Sequence, residues 1–162
     1  MAEFIDNNEM FFTNFEPKTQ NRFILYVEGL PAFLIHVANR PSITFGDIVI
    51  DHMNVKRKLK GKADWQDVTI TLYDPITPSG AQAAMEWVRL SHESVTGQDG
   101  YADFYKKDVT INVLGPALDK VEEWTLKGAY VASTAMGDMS WANDGFMTVG
   151  LVLKYDYAIL QF

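Results

Sequence analysis

The sequence predicts a mainly β protein of the α+β kind, an antiparallel β-sandwich or barrel with one packed α-helix. Three observations predict it. Apolar and polar residues alternate with period two in several separate stretches, among them Val68 to Leu72, Val109 to Val113 and Val149 to Leu153. On a strand that period puts one set of side chains on one face and the other set on the opposite face. One stretch alone, near residues 78–92, carries apolar residues at helical spacing. The strands therefore follow one another across turns rather than alternating with helices, which argues against βαβ units.

Taken in order, Asn21 to Glu28 reads as the first strand, with Phe23, Leu25 and Val27 on one face and Arg22 and Glu28 on the other. Gly29-Leu30-Pro31 turns the chain, and Phe33 to Ala38 is a second short strand. Pro41 interrupts, and Ile43, Phe45, Ile48 and Ile50 continue in a looser, partly extended segment. The whole stretch from Asn39 to Asp64 reads as a long excursion, and uncovered loops of that length are often functional. It holds the densest positive charge in the chain, Lys56, Arg57, Lys58, Lys60 and Lys62, read as a basic turn at Gly61. A clean strand follows: Val68, Ile70 and Leu72 point one way, Asp67, Thr69 and Thr71 the other, and Asp74-Pro75 ends it.

Thr77 is placed to cap a helix and Pro78 suits its first position. Ala81, Ala84, Met85 and Val88 then form one helix face, broadened by Trp87, to about His92. Val109, Ile111 and Val113 make the next strand, stopped by Gly115-Pro116. In Val121 to Tyr130, Trp124 and Leu126 face one way and Glu123, Thr125 and Lys127 the other. The core is expected to hold Trp124 and Leu126 beneath Met85 and Val88. Asn143-Asp144-Gly145 is a turn signal. Phe146 to Tyr157 reads as the longest strand, with Thr148, Lys154 and Asp156 on its polar side. The expected total is about seven strands and one helix.

With 162 residues the chain is read as one domain, able to bury roughly 70% of its unfolded surface. Its apolar fraction of 48% against 22% charged residues makes disorder an unneeded assumption. Net charge is −7, so the protein is acidic apart from the island at 56–62, which lacks interleaved aromatics; both features argue against nucleic-acid binding. The amino-terminal residues carry acids among their apolar groups and do not read as a secretory signal, and no run reaches the roughly 18 apolar residues of a membrane span. Phe4, Ile5, Met10, Phe11, Phe12 and Phe15 imply instead an arm that docks, either on its own domain or on a neighbouring copy. Enzyme chemistry finds no support. There is no cysteine, His36, His52 and His92 share no ligand spacing, and no nucleophile or phosphate-cradling motif occurs. No metal and no cofactor are expected.

Several blocks, in their order and spacing, resemble the tail tube proteins of contractile-tailed bacteriophages of the T-even type. They are Asp51 to Gly61 followed by Asp64 to Leu72, the helix with Met85-Glu86-Trp87, Tyr105 to Ile111, Trp124 to Tyr130, and the closing Val149 to Tyr157. The resemblance covers residues 22–157, which it implies are a single tube-forming, tail-tube-like β domain, between an N-terminal arm of residues 1–21 and a C-terminal tail of residues 158–162. It implies six-membered rings stacked into a hollow tube inside a contractile sheath, the conduit for DNA and the tape-measure protein during ejection. The implied partners are other copies of the chain, the tail sheath protein, baseplate and tail terminator proteins, the tape-measure protein and DNA in transient, non-specific passage. The implied location is the virion tail, assembled in the host cytoplasm, without membrane insertion. Related inner tubes occur in extracellular contractile injection devices and in type VI secretion.

In that setting Lys56, Arg57, Lys58, Lys60 and Lys62, with Phe45 and Ile48, are the candidate contacts between subunits or rings, and the loop from Ser133 to Asp144 is a second. The bland reading of the five bases is a solvated turn. The polar strand faces, Thr69, Thr71, Glu123, Thr125, Lys127, Thr148, Lys154 and Asp156, are the candidate lumen wall. DNA must pass such a wall without sticking, so it must carry no excess of positive charge. A second class of function stays open here, a carbohydrate- or protein-binding β-sandwich module in which Trp65, Trp124 and Trp141 form an aromatic platform.

Overall fold

In a computed structural model, the structure describes residues 16–162. The expected docking of Phe4 to Phe15 lies outside them. The described chain is built from nine strands, all paired antiparallel. In order they are β1 (Phe23–Val27), β2 (Ile35–Ala38), β3 (Ile43–His52), β4 (Val55–Trp65), β5 (Val68–Tyr73), β6 (Lys107–Leu114), β7 (Lys120–Ala135), β8 (Thr148–Lys154) and β9 (Tyr157–Leu160). Helix α1 (Gly80–Ser91) and a single turn, α2 (Ala102–Tyr105), lie between β5 and β6, and a 3-10 turn, Ala32–Leu34, leads into β2.

Seven strands form one sheet that rolls over on itself in the order β1-β6-β7-β8-β5-β2, with β9 added to β7. Strand β7 makes the roll. Its first half pairs with β6 and β9, and from Tyr130 its second half pairs with β8. The change of partner falls at Gly128, whose φ is +67° and where a Cβ would stand 2.3 Å from the Asp156 carboxylate. Glycine alone meets both demands at no cost. The result is a sandwich closed on one side by β7 and open on the other, where no ladder joins β1 to β2 among the described residues.

The two inner faces meet in one core. Leu25, Val109, Ile111 and Leu126 come from the first layer, and Val68, Ile70, Leu72, Val149, Leu151 and Leu153 from the second. The alternation at 68–72 and 149–153 thus reports real burial. Helix α1 packs on β7 and β8 and sends Ala84 and Trp87 into that core, while Met85 and Val88 stay half-buried. Trp124 is also half-buried at the margin, and Leu126 is wholly buried. The helix therefore docks one residue around from the expected face. Its wide aromatic side chain fills the gap, and the Trp87 indole N–H donates to the Tyr105 carbonyl at 2.8 Å. The cap is Ser79 rather than Thr77: its hydroxyl accepts from the Gln82 N–H at 3.3 Å, and the Asp74 carboxylate accepts from the Ala81 N–H.

Three expectations change at the longer segments. The longest strand is β7, and Phe146 to Tyr157 contains only β8 before the chain corners at Tyr155 and Asp156. Residues 158–160, expected in a tail, belong to β9 and pair with β7. The excursion from Asn39 to Asp64 is not a loop but two long strands, β3 and β4, paired only with each other. Alternation was masked there by a bulge and by the run of bases, which leave no regular period of two.

Candidate assembly surface

The β3–β4 hairpin is the most exposed element of the described chain: every residue of β3 is exposed, and in β4 only Gly61 and Trp65 are half-buried. A tight turn at Met53 and Asn54 joins the strands. Lys56, Arg57, Lys58, Lys60 and Lys62 therefore lie along a strand, not in a turn, which corrects the expectation for that island. Gly61 does not turn the chain either. It sits in a bulge facing Gly46, where a Cβ would come within 2.8 Å of the Gly46 carbonyl oxygen.

Register sorts the ribbon into two unlike faces. Ile48 stands opposite Leu59, Ile50 opposite Arg57 and His52 opposite Val55, so one face is largely apolar. Asp47 stands opposite Lys60, Val49 opposite Lys58 and Asp51 opposite Lys56, so the other is charged. Phe45 shares the charged face, and the Lys60 ammonium lies 4.7 Å from its ring centroid, a cation–π contact. Phe45 and Ile48 thus point to opposite sides, and two of the five bases, Lys56 and Lys60, stand opposite acids of the same ribbon.

The root of the hairpin is held firmly at one end of the β2-β5-β8 layer. The Asn39 side chain accepts from the Thr69 N–H at 2.6 Å, and the Gln66 N–H donates to the Ser42 carbonyl at 2.9 Å. Trp65 leans on Tyr155, ring centroids 6.0 Å apart, and burial with nearby Asp67 pushes the Tyr155 hydroxyl up to about 12. Glu122, buried on β7, adds a second anchor that sequence reasoning missed. Its carboxylate accepts from Lys18, from Arg40 at 3.3 Å and from the Trp124 indole N–H. Burial pushes this carboxyl up, but the bonds from Lys18, Trp124 and Arg40 outweigh it and hold it below its ordinary value. The three partners come from residues 18, 40 and 124, so no local pattern announces them.

The lumen candidates do not share one face. Thr69, Thr71, Thr148 and Lys154 lie together on the outer face of the second layer, beside Gly150 and Ser133. Glu123, Thr125 and Lys127 lie on the outer face of the first layer, across the core, beside Tyr26, Tyr157 and Ile159. Lys127 is paired there with Asp108 at 2.7 Å. Asp156 is on neither face: it sits in the corner after β8, paired with Lys106 at 2.9 Å. The three tryptophans form no platform, since Trp65 is at the hairpin root, Trp124 on β7 and Trp141 in the loop at the far end of β8. Among the described residues no three His, Asp or Glu groups converge on a metal site, and no helix is long and apolar enough to cross a membrane.

A rolled antiparallel sheet with one packed helix and one bare hairpin is a tail-tube-like fold. Solved structures share this fold. A chain of the sheath/tube terminator of the extracellular contractile injection system PVC, in its extended state, superposes with a TM-score of 0.75 at 18% identity, over 93% of this chain and 100% of that one. A chain of the PVC sheath-tube complex gives 0.72 at 17%, over 98% and 99%. Hcp1 from Flavobacterium johnsoniae gives 0.51 at 12%, over 86% and 94%. At these identities the likeness is one of fold. No family model and no curated protein matches the chain.

Proposed function

We propose that this protein is a structural, non-enzymatic subunit that forms hexameric rings stacked into the inner tube of a contractile particle. The observation that carries this reading is the amphipathic hairpin, which makes hardly any contact with the rest of the described chain. An isolated two-stranded ribbon is marginal in water, and no described part of the chain covers its apolar face, so we assign that cover to another copy. A ring subunit supplies such cover by heterologous contacts, one patch meeting a different patch on the next copy. In this reading Ile48, Ile50, Val55 and Leu59 carry the binding energy, and Lys56, Lys58 and Lys60 set its orientation, because exposed ion pairs add only about 0–1 kcal/mol each.

The wall of the tube is the outer face of β2, β5, β8 and the second half of β7. Thr69, Thr71, Thr148, Gly150 and Ser133 make its middle small and uncharged, with Lys154 at one end. Val37 and Val152 share that surface, and Lys154 is its base at the edge, so the middle offers phosphates no positive charge. The face with Tyr26, Tyr157 and Ile159 suits protein contact instead, against a neighbouring subunit or the sheath.

In a phage tail the tube conducts DNA and the tape-measure protein between baseplate and terminator, in a virion tail assembled in the host cytoplasm. The alternative, the inner tube of an injection device, is favoured by the superposed chains of the PVC system. Size-exclusion chromatography with negative-stain microscopy tests the common reading. Rings or tubes are expected, and a protein that stays monomeric at high concentration overturns it.

A further inference from the structure

Two exposed apolar parts of the described chain lie at opposite ends of one layer. The hairpin leaves beside Thr69 and Tyr155, at the start of β5 and the end of β8. At the other end of the same strands, Tyr73 pairs with Thr148 and the Asp74 N–H donates to the Met147 carbonyl at 3.2 Å. The loop from Met136 to Met147 sits there. Trp141 in it is as exposed as in an extended peptide, at 109%, with Met139 at 84% and Phe146 at 72%; Ile76, in the neighbouring turn, stands at 99%. Phe146 rests on Tyr73, ring centroids 5.3 Å apart, which fixes that side of the loop to the sheet.

The two ends also differ in charge. The hairpin carries five bases against Asp47, Asp51 and Asp64, whereas no lysine or arginine occurs between Ala132 and Met147 and the far end presents Asp74, Asp138 and Asp144. We propose that the β7–β8 loop, with Trp141 as its anchor, is the seat for the hairpin of the next copy along the tube. This rests on the tube reading and adds to it the counterpart of the hairpin. Contact between two copies of one end would set base against base or acid against acid, which costs affinity. Contact between unlike ends joins an apolar, basic ribbon to an apolar, acidic loop. It is head-to-tail, so it does not close on itself and extends into a filament. Exposed tryptophan is the side chain most enriched among residues that dominate an interface.

The chain contains no cysteine, so two introduced thiols report on this contact alone. Met53→Cys places one at the hairpin tip and Ser140→Cys one beside Trp141. Under mild oxidation the double variant is expected to give a reducible ladder of linked chains that runs past the hexamer, and each single variant none. A ladder that stops at the hexamer would mean that the contact lies within a ring, and tubes without any cross-link would mean that the seat is elsewhere; either result overturns the proposal. If the parent forms neither rings nor tubes, the tube reading fails first and this proposal falls with it. A second pair of variants is independent of disulfide geometry. Asp138→Lys with Asp144→Lys should lower the share of protein in tubes about tenfold or more while single rings persist, and adding Lys56→Glu with Lys58→Glu should restore part of it. Tubes of parental yield and length from the loop variant would contradict the proposal.

Discussion

Strands β5 and β3 are written in a similar alphabet and end in opposite environments. In β5, Val68, Ile70 and Leu72 alternate with polar residues and are wholly buried. In β3, Ile48 and Ile50 likewise share a face, and every residue is exposed. Alternation tells which side chains stand together; it does not tell what covers them. For β5 the cover is the facing layer of the same chain. For β3 no element of the described chain supplies it. The body is thus stabilised from within, whereas in the proposed function the ribbon is covered by a second molecule.

The largest expected effect separates these two regions. Trp87→Ala or Leu151→Ala, both in the core, should each destabilise the isolated subunit by about 3–5 kcal/mol, read from thermal or denaturant unfolding. Ile48→Ala with Ile50→Ala should leave the stability of the monomer within about 0.5 kcal/mol of the parent and abolish tubes. A comparable loss of monomer stability from the hairpin pair would erase the contrast and place cover for the ribbon inside the chain.

Gly128→Ala comes next. It combines a left-handed backbone with a clash against Asp156, and a cost of about 1–3 kcal/mol is expected. Because β7 changes partners at this point, the variant should also loosen β9, seen as faster amide exchange at Leu126 and Ala158. A neutral result would show that the roll of the sheet does not depend on this corner.

The contribution of Glu122 should appear as a pH dependence. Its folded pKa is lowered below the ordinary 4.5, so the unfolded chain takes up the proton first. Its stabilisation is then fully present above about pH 4.5 and is lost as pH falls through the folded value. Comparing thermal midpoints between pH 7 and pH 3, Glu122→Gln should show a shallower acid decline than the parent. Parallel curves would mean that Lys18 and Arg40 gain nothing from this carboxylate, and the anchor of the hairpin root would have to be sought elsewhere.

The smallest effect on folding is expected from Thr71→Lys, a partly exposed position on the outer face of β5. Stability should change by less than about 0.5 kcal/mol and tubes should still form. In a particle that ejects DNA, sixfold repetition turns one lysine into a ring of charge, and release of labelled DNA should slow. Normal release from such tubes would move the lumen to another face.

Local pattern by itself determined the antiparallel, mainly β character, the inner faces at 68–72, 109–113 and 149–153, and the single main helix. Each depends on periods of two or 3.6 residues, which a linear sequence displays directly. Pairing between distant segments was decided only in the tertiary structure. The roll at Gly128 needs Asp156, the Glu122 anchor needs residues 18 and 40, and the helix face is chosen by the gap that Trp87 fills. The lumen candidates looked alike because each lay on the polar side of a strand. Tertiary structure divides them because the two layers turn their polar sides in opposite directions, away from one shared core. The basic island was legible as a candidate place of contact only in its charge. Its form as a two-faced ribbon depended on register, which is set by cross-strand pairs and a bulge and not by any run of neighbours.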